Sequence, residues 1–510
     1  MGKDTNIFST IYVKIIFKFA KKSKTHFFML FSSPLFLYLF LPITLLGYYL
    51  MIPKLKNYWL LACSLVFFAW GGVTFTFILL ISIFLNYIFG IVMEKNKNTP
   101  KMKRWLIVGV ATNVGILALF KYTNFLVLNL NQLLDWIHIP LIPQTHIVLP
   151  IGISFYTFHS LSYLIDIYRN KTKAQRNFFD LSLYITMFSQ LIAGPIIRYS
   201  DVENQLRNRT HSVEKFSYGI ERFLIGLGKK VLLANTFAKI ADQIFAANPS
   251  DLGAPLAWLG MIAYSLQIYC DFAGYSDMAI GLGRMFGFEF MENFNFPYIA
   301  KSVKEFWRRW HISLSSFFRD YVYIPLGGNK ISIPRTYINL LIVFFLTGFW
   351  HGASWSFVVW GLFHGLFMVI ERLGFDKILE KSWKPLANLY TILVVMFAWV
   401  LFRADTLSYA MNYWKALFDF STTAQQMILF RSYLDKEFWI MFTIAVAGSL
   451  GLFAAIGKKM NPILESNRLI SKGFAYSYHI VSLVFYAGIL YLCTMFLISG
   501  TYNPFIYYRF

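Results

Sequence analysis

Apolar residues fall along this chain in long blocks separated by short polar stretches. The blocks lie at roughly 32–51, 58–70, 73–93, 105–127, 147–168, 181–198, 219–245, 253–287, 337–350, 354–371, 386–402, 437–456 and 476–499. Many are long enough to cross a bilayer as helix, which takes roughly 20 residues. The stretch 58–93 is too long for one crossing at about 1.5 Å per residue, so it divides at Gly71 and Gly72. The blocks lack the alternation of barrel strands, and in lipid only helices or closed barrels satisfy their backbone. The pattern predicts an all-α polytopic membrane protein. Blocks 181–198 and 219–245 carry Gln190, Pro195, Lys229 and Lys230, which lipid does not welcome, so they are expected to be re-entrant or interfacial. No internal repeat, low-complexity tract or soluble domain is evident.

Composition agrees. Of 510 residues, 57% are hydrophobic, 19% aromatic and 14% charged. Lys plus Arg number 47 against 25 acids, a net charge of +22 that in a soluble protein would suggest nucleic acid. Here the cations cluster in short connections between apolar blocks, which the positive-inside rule explains without a nucleic-acid partner. Segments 94–104 and 169–176 are basic and expected to be cytoplasmic. The intervening 128–146 has no Lys or Arg and is expected outside. The basic 457–475, with Lys458, Lys459, Arg468 and Lys472, is expected inside. This count puts residues 1–28 outside although they hold six lysines and one aspartate. The reading is therefore a single membrane domain over 29–510 preceded by a basic extension, with Met1 or Met29 as the start. Cys63, Cys270 and Cys493 are widely spaced and form neither a disulfide framework nor a metal knuckle.

Chemistry-bearing residues concentrate in 268–328. Asp271 and Asp277 sit within an apolar run broken by glycines, which permit close helix packing or a bend. In "KSVKEFWRRWHISLSSFFRDY", Phe306, Trp307, Trp310, Phe317 and Phe318 interleave with Lys301, Lys304, Arg308, Arg309 and Arg319. On one helix this makes an amphipathic stripe at the cytoplasmic interface, whose basic face could also hold a phosphate-rich ligand. His311 closes the "WRRWH" cluster. His351 follows in "TGFWHGASW", between Trp350 and Trp355. A histidine on an apolar face is most often a hydrogen-bonded core residue, but titratable groups within membrane spans are functional candidates. A neutral imidazole can serve as general base toward a hydroxyl or thiol. His159 and His364 also lie in apolar runs, with packing as their default role, whereas His138 and His146 belong to the outer segment and read as solvated. There is no HExxH, no P-loop, no dinucleotide fingerprint and no GxSxG elbow.

The stretch "CDFAGYSDMAIGLGRMFGFEFMENFNFPYIAKSVKEFWRRWHISLSSFFRDYVYIPLGGNK", followed by "LTGFWHGASWSFVVWGLFHG", resembles the membrane-bound O-acyltransferase family, and more narrowly its bacterial alginate O-acetyltransferase branch. "FSSPLFLYLFLP", "LPIGISFYTFHSLSYLIDIYR", "SQLIAGPIIRYSDV" and "FAWVLFRA" fit the same likeness, which runs from Met29 nearly to the C-terminus. The resemblance implies a bundle of about 11–13 transmembrane or re-entrant helices around a central tunnel, in the bacterial cytoplasmic (inner) membrane. It implies an acetyl group taken from cytoplasmic acetyl-CoA, with no bound cofactor or metal, and passed across the membrane toward an exported polysaccharide. His351 and His311 occupy the positions of the family's two characteristic histidines, His351 being the expected catalytic residue. Around them Trp307, Arg308, Arg309, Trp310, Asp320, Trp350 and Trp355 are candidate substrate-binding residues, with Arg308, Arg309, Lys301 and Lys304 steering the CoA phosphates. The outer loops are short, so a separate extracytoplasmic acetyl acceptor or transferase protein is expected. A related branch transfers D-alanine to teichoic acid, and "AGYSDMAIGLG" and "YIPLGGN" favour acetyl transfer over it. Peptidoglycan acetylation, a transporter or flippase, and a secretion scaffold are the alternatives.

Overall fold

A computed structural model of the chain describes residues 29–192, 194–464, 469–500 and 502–504. The basic extension 1–28 lies outside the described residues. Among these, every regular element is helical. Six described helices are long and apolar enough to cross a membrane: Val73–Lys95, Pro100–Lys121, Ile333–His351, Trp355–Lys381, Lys384–Arg403 and Tyr476–Ile498. Lys436–Ser449 and Leu452–Met460 form a further, bent pair at 62°. Their outward faces are apolar, with Phe77 and Leu483 well exposed, as lipid contact requires.

The chain groups into two units. The first comprises the chain up to Asn113 with Pro150–Ile192 and Tyr199–Arg209. Its helices Lys56–Trp70 and Val73–Lys95 part at Gly71–Gly72, as the block length requires. Gly72 has φ 148°, a conformation closed to L side chains, so the chain can turn there. Asn86 and Asn113 exchange side-chain hydrogen bonds of 3.0 and 2.8 Å between neighbouring helices, a polar contact that suits a lipid-embedded interface. Block 181–198 is not one span: Phe178–Thr186 and Phe188–Leu191 are separate helices, broken at Met187.

The second unit comprises Val114–Leu149, the short link ending at Arg198, and the chain from Thr210 onward. At its centre is the 33-residue helix Gly253–Met285, about 50 Å long, buried along almost its whole length. It is unbroken, so its glycines serve close packing and not a bend. A Cβ on Gly274 would stand 2.8 Å from the Gly226 carbonyl oxygen, and one on Gly226 would stand 2.5 Å from that of Gly274. Only glycine at both sites lets Val213–Gly228 approach this closely. Block 219–245 is a continuous helical run through Val213–Gly228, a wide turn at 229–234 and Asn235–Ala246. Its lysines tolerate burial because they find acids on the central helix. Lys230 Nζ lies 2.9 Å from Asp271 with both side chains 1% exposed. Lys229 and Arg222 reach Asp277 at 2.6 and 2.7 Å. The two aspartates that stood out in the sequence are thus counter-charges for the neighbouring helix.

A buried pair broken on one side leaves an uncompensated charge. Asp271→Ala is expected to destabilise the protein by about 3–5 kcal/mol, whereas Asp271→Leu combined with Lys230→Met recovers most of that. Thermal unfolding in detergent checks this: equal stability of the single and double variants would show that the pairing does not hold these helices.

Candidate active site

The segment expected as one amphipathic helix is two. Val303–Arg309 and Ile312–Phe318 are separated at Trp310–His311, where His311 adopts the left-handed conformation (φ 43°, ψ 55°). For a residue with a Cβ this costs on the order of 1–3 kcal/mol and persists only where the surroundings hold it. The holding groups come from Asn293. Its carbonyl accepts the Ile312 amide at 2.9 Å, and its side-chain Oδ1 accepts the Ser313 amide at 3.2 Å and the Ser313 hydroxyl at 2.8 Å. An amide N–H must donate, so Asn293 presents oxygen here. His311 Nδ1 lies 3.1 Å from that oxygen and must carry the proton in this contact. Nε2 is left with the lone pair, and it has no hydrogen-bond partner among the described residues. The Ile196 amide donates to the Ser313 hydroxyl at 3.0 Å, tying the "GPIIR" link to the same node.

The amphipathic division survives the break. Phe306, Trp307 and Trp310 are buried, whereas Lys301, Lys304 and Arg308 are exposed. Arg309 is pinned by Glu305 at 2.8 Å. Glu371, buried, accepts the amides of Val303 and Lys304 at 2.6 and 3.0 Å, placing a carboxylate at the N-terminus of this helix, where the dipole favours it. Asp320 receives Arg319 at 2.7 Å and Arg198 at 2.8 Å. Burial opposes ionisation of Asp320, but hydrogen bonds from Arg319 and Arg198 prevail and hold its carboxyl below the usual range. Its Oδ2 anchors Arg198 and its Oδ1 receives the Arg319 Nε.

His351 ends the helix Ile333–His351. The turn after it needs glycine by close approach: a Cβ on Gly352 would stand 2.2 Å from the Phe357 ring. This lets Trp355–Ile370 return along the first helix, where Gly348 and Gly361 meet backbone to backbone. The His351 ring is 7% exposed. Its centroid lies 4.8 Å from Trp350, 5.1 Å from Trp360 and 5.2 Å from Phe402. The His311 ring lies 6.2 Å from Trp350 and 4.6 Å from Phe272. The two histidines, forty residues apart in sequence, therefore both pack against one indole.

Trp307, Trp310 and Trp350 join this enclosure: Trp307 lies 5.9 Å from Trp360 and Trp310 lies 4.9 Å from Trp399. Trp355 does not. It is 54% exposed and donates its indole N–H to Asn129 at 2.8 Å. His364 is buried among the same aromatics, 5.2 Å from both Trp307 and Trp360. His159, buried against Tyr184, belongs to the other unit, and His138 and His146 are exposed. Sequence reasoning missed Asn293, Trp360, Trp399, Phe402 and Lys121. Trp399 and Phe402 lie in "FAWVLFRA", which stood out only by resemblance; Asn293 in "MENFNFPY" carried no signal of its own.

Residues 168–411 match the model of the membrane-bound O-acyltransferase family. A probable alginate O-acetylase of Azotobacter vinelandii is 46% identical over 393 residues, 77% of this chain and 78% of the relative. One from Pseudomonas putida is 41% identical over 507 residues, 94% of this chain and 100% of the relative. A peptidoglycan O-acetyltransferase of Helicobacter pylori is 37% identical over 428 residues, 77% of this chain and 80% of the relative. With two buried histidines converging inside a helical membrane protein, these likenesses decide between enzyme, transporter and scaffold: the chain belongs to the membrane-bound O-acyltransferase family and is an O-acetyltransferase.

Proposed function

We propose that the protein takes the acetyl group of cytoplasmic acetyl-CoA and delivers it across the bacterial inner membrane for O-acetylation of an exported, alginate-like polysaccharide. The observation that carries this is the convergence of His311 and His351 on the Trp350 ring in a buried aromatic enclosure. The relatives named for alginate acetylation favour that class of polymer. The 37% identity to a peptidoglycan O-acetyltransferase keeps peptidoglycan as the second reading.

In this reaction the acceptor hydroxyl loses its proton to His351 as its oxygen attacks the thioester carbonyl. The carbon–sulfur bond then breaks, and the proton returns from His351 to the departing thiolate. Proton donor and acceptor are balanced, and no other reagent is consumed. His311, with its lone pair on Nε2, orients the acyl group or shares the proton transfer. Low polarity around the rings suits this role, because charge developing in a dry site interacts strongly with fixed partners. Lys301, Lys304 and Arg308 project from the surface end of Val303–Arg309, where they would steer the CoA phosphates, and Arg309 lies beside them. Trp307, Trp310 and Trp350 would line the path of the pantetheine arm, whereas Trp355 is turned to Asn129 and Asp320 is engaged by Arg198 and Arg319. A separate extracytoplasmic protein would receive the acetyl group and hand it to the polymer.

His351→Ala is expected to abolish release of free CoA from acetyl-CoA by purified protein supplied with partner or acceptor, with its melting temperature kept near wild type. Unchanged turnover would sink the mechanism. Asn293→Leu removes the acceptor that fixes the His311 tautomer. It is expected to lower kcat roughly 10- to 100-fold. Asn293→Asp, which keeps the oxygen, should lose less, and an equal loss in both variants would show that Asn293 serves only packing.

A further inference from the structure

Lys121 closes the helix Pro100–Lys121 and is buried. Its Nζ donates to the Trp350 carbonyl and, at 3.1 Å, to the His351 carbonyl. It also stands 5.7 Å from the centre of the Trp350 ring. The next residue, Tyr122, donates its hydroxyl to the Phe349 carbonyl at 2.8 Å. Its ring stacks on Phe349, with centroids 4.0 Å apart and planes 7° from parallel. Two consecutive residues therefore hold three consecutive carbonyls at the end of Ile333–His351.

A helix end leaves its last carbonyls without partners inside the helix and gathers partial negative charge there. The common closure is a glycine in the left-handed conformation that turns its amide back. Gly352 is extended instead (φ −161°, ψ 151°). The carbonyls are met from outside by the Lys121 amino group. Burying a lysine head is expensive unless its protons are matched. The backbone that this group grips carries the ring expected to do the chemistry.

We infer that Lys121 is a positioning residue for acyl transfer, with Tyr122 as its second. The Lys121 amino group, donating to the helix's terminal carbonyls, fixes the backbone of Trp350 and His351 and so sets both rings against His311. This role rests on the acyl-transfer reading of His351, and two readouts separate them.

The first is kinetic. Lys121→Met is expected to lower kcat roughly 10- to 100-fold, since small displacements of a reacting group are costly. The acetyl-CoA KM should stay within about twofold, because Lys121 touches the helix and not the donor. Lys121→Arg, which keeps the charge and the donors, should recover most of kcat. Native kcat in Lys121→Met, a KM that rises in proportion, or an arginine variant as poor as the methionine one would each overturn the inference. The second readout needs no turnover. Backbone hydrogen exchange across 347–353 in the full-length detergent-solubilised protein should quicken at least about tenfold in Lys121→Met, with the rest of Ile333–His351 unchanged. Unchanged exchange overturns the clamp. If wild type releases no CoA, the acyl-transfer reading fails while the exchange result still decides the clamp. Should Lys121→Met not fold, Tyr122→Phe removes one hydroxyl only. It is expected to quicken the same exchange and to lower kcat about two- to fivefold, and native values in both would overturn the inference.

Discussion

Asn293 Oδ1 is the point on which the site's geometry turns. One oxygen gathers the Ser313 amide, the Ser313 hydroxyl and the His311 ring, and through Ser313 it reaches the Ile196 amide. Without it, the Asn293 carbonyl on the Ile312 amide would have to offset the strained backbone at His311 with fewer contacts, and the short helices on either side would have less reason to part. The break is what turns the His311 ring inward while Lys301, Lys304 and Arg308 stay outside. A continuous helix would keep the stripe regular but would not free the residue at its middle to take a left-handed turn. The fixed tautomer follows from the same contact, so geometry and protonation pattern have a single origin.

The buried charges of the larger unit obey a related rule: a charged group inside an apolar interior is met by a partner of opposite or complementary charge. Asp271 and Asp277 meet Lys230, Lys229 and Arg222, and Glu371 meets two amides at a helix N-terminus. None of these pairs adds much net stability over well-packed hydrocarbon. What they supply is register: each fixes how far one helix slides along another. The facing glycines then set how close the helices lie. Gly274 against Gly226 and Gly348 against Gly361 allow backbone contact, which makes the sliding positions discrete.

Much of this was legible in the sequence, and the limits have physical causes. Apolar blocks mark the spans because lipid imposes length and composition directly. His311 and His351 stand out because a titratable ring among aromatics is rare enough to notice. The break at His311 was not legible, since the amphipathic spacing of 301–319 reads as one helix and the competing acceptor lies 18 residues away. Lys121 was hidden more deeply. In sequence it sits unremarked inside the apolar block 105–127, and its partners are 229 and 230 residues on. The blocks 181–198 and 219–245 stood apart from the other blocks by their polar content. The sequence could not show which acids would neutralise Lys229 and Lys230, and those acids decide that 219–245 stays helical throughout.

In the proposed reaction the helix Val303–Arg309 would couple recognition to chemistry. It is about 10 Å long. Its outer face carries the cations that would meet the donor's phosphates, and its inner face packs Phe306 and Trp307 into the enclosure. Trp310 and His311 follow at once. Any force on the outer face is therefore transmitted through a rigid element of seven residues to the ring beside Trp350. Glu371 holds the first turn of that element by two amides, and Asn293 holds the backbone just beyond its last. A helix fixed at both ends can shift only by straining one of these contacts. In the proposed reaction, a donor bound by its phosphates at the surface would thus bear on the same element that positions His311, so occupancy of one end and alignment of the other are mechanically linked.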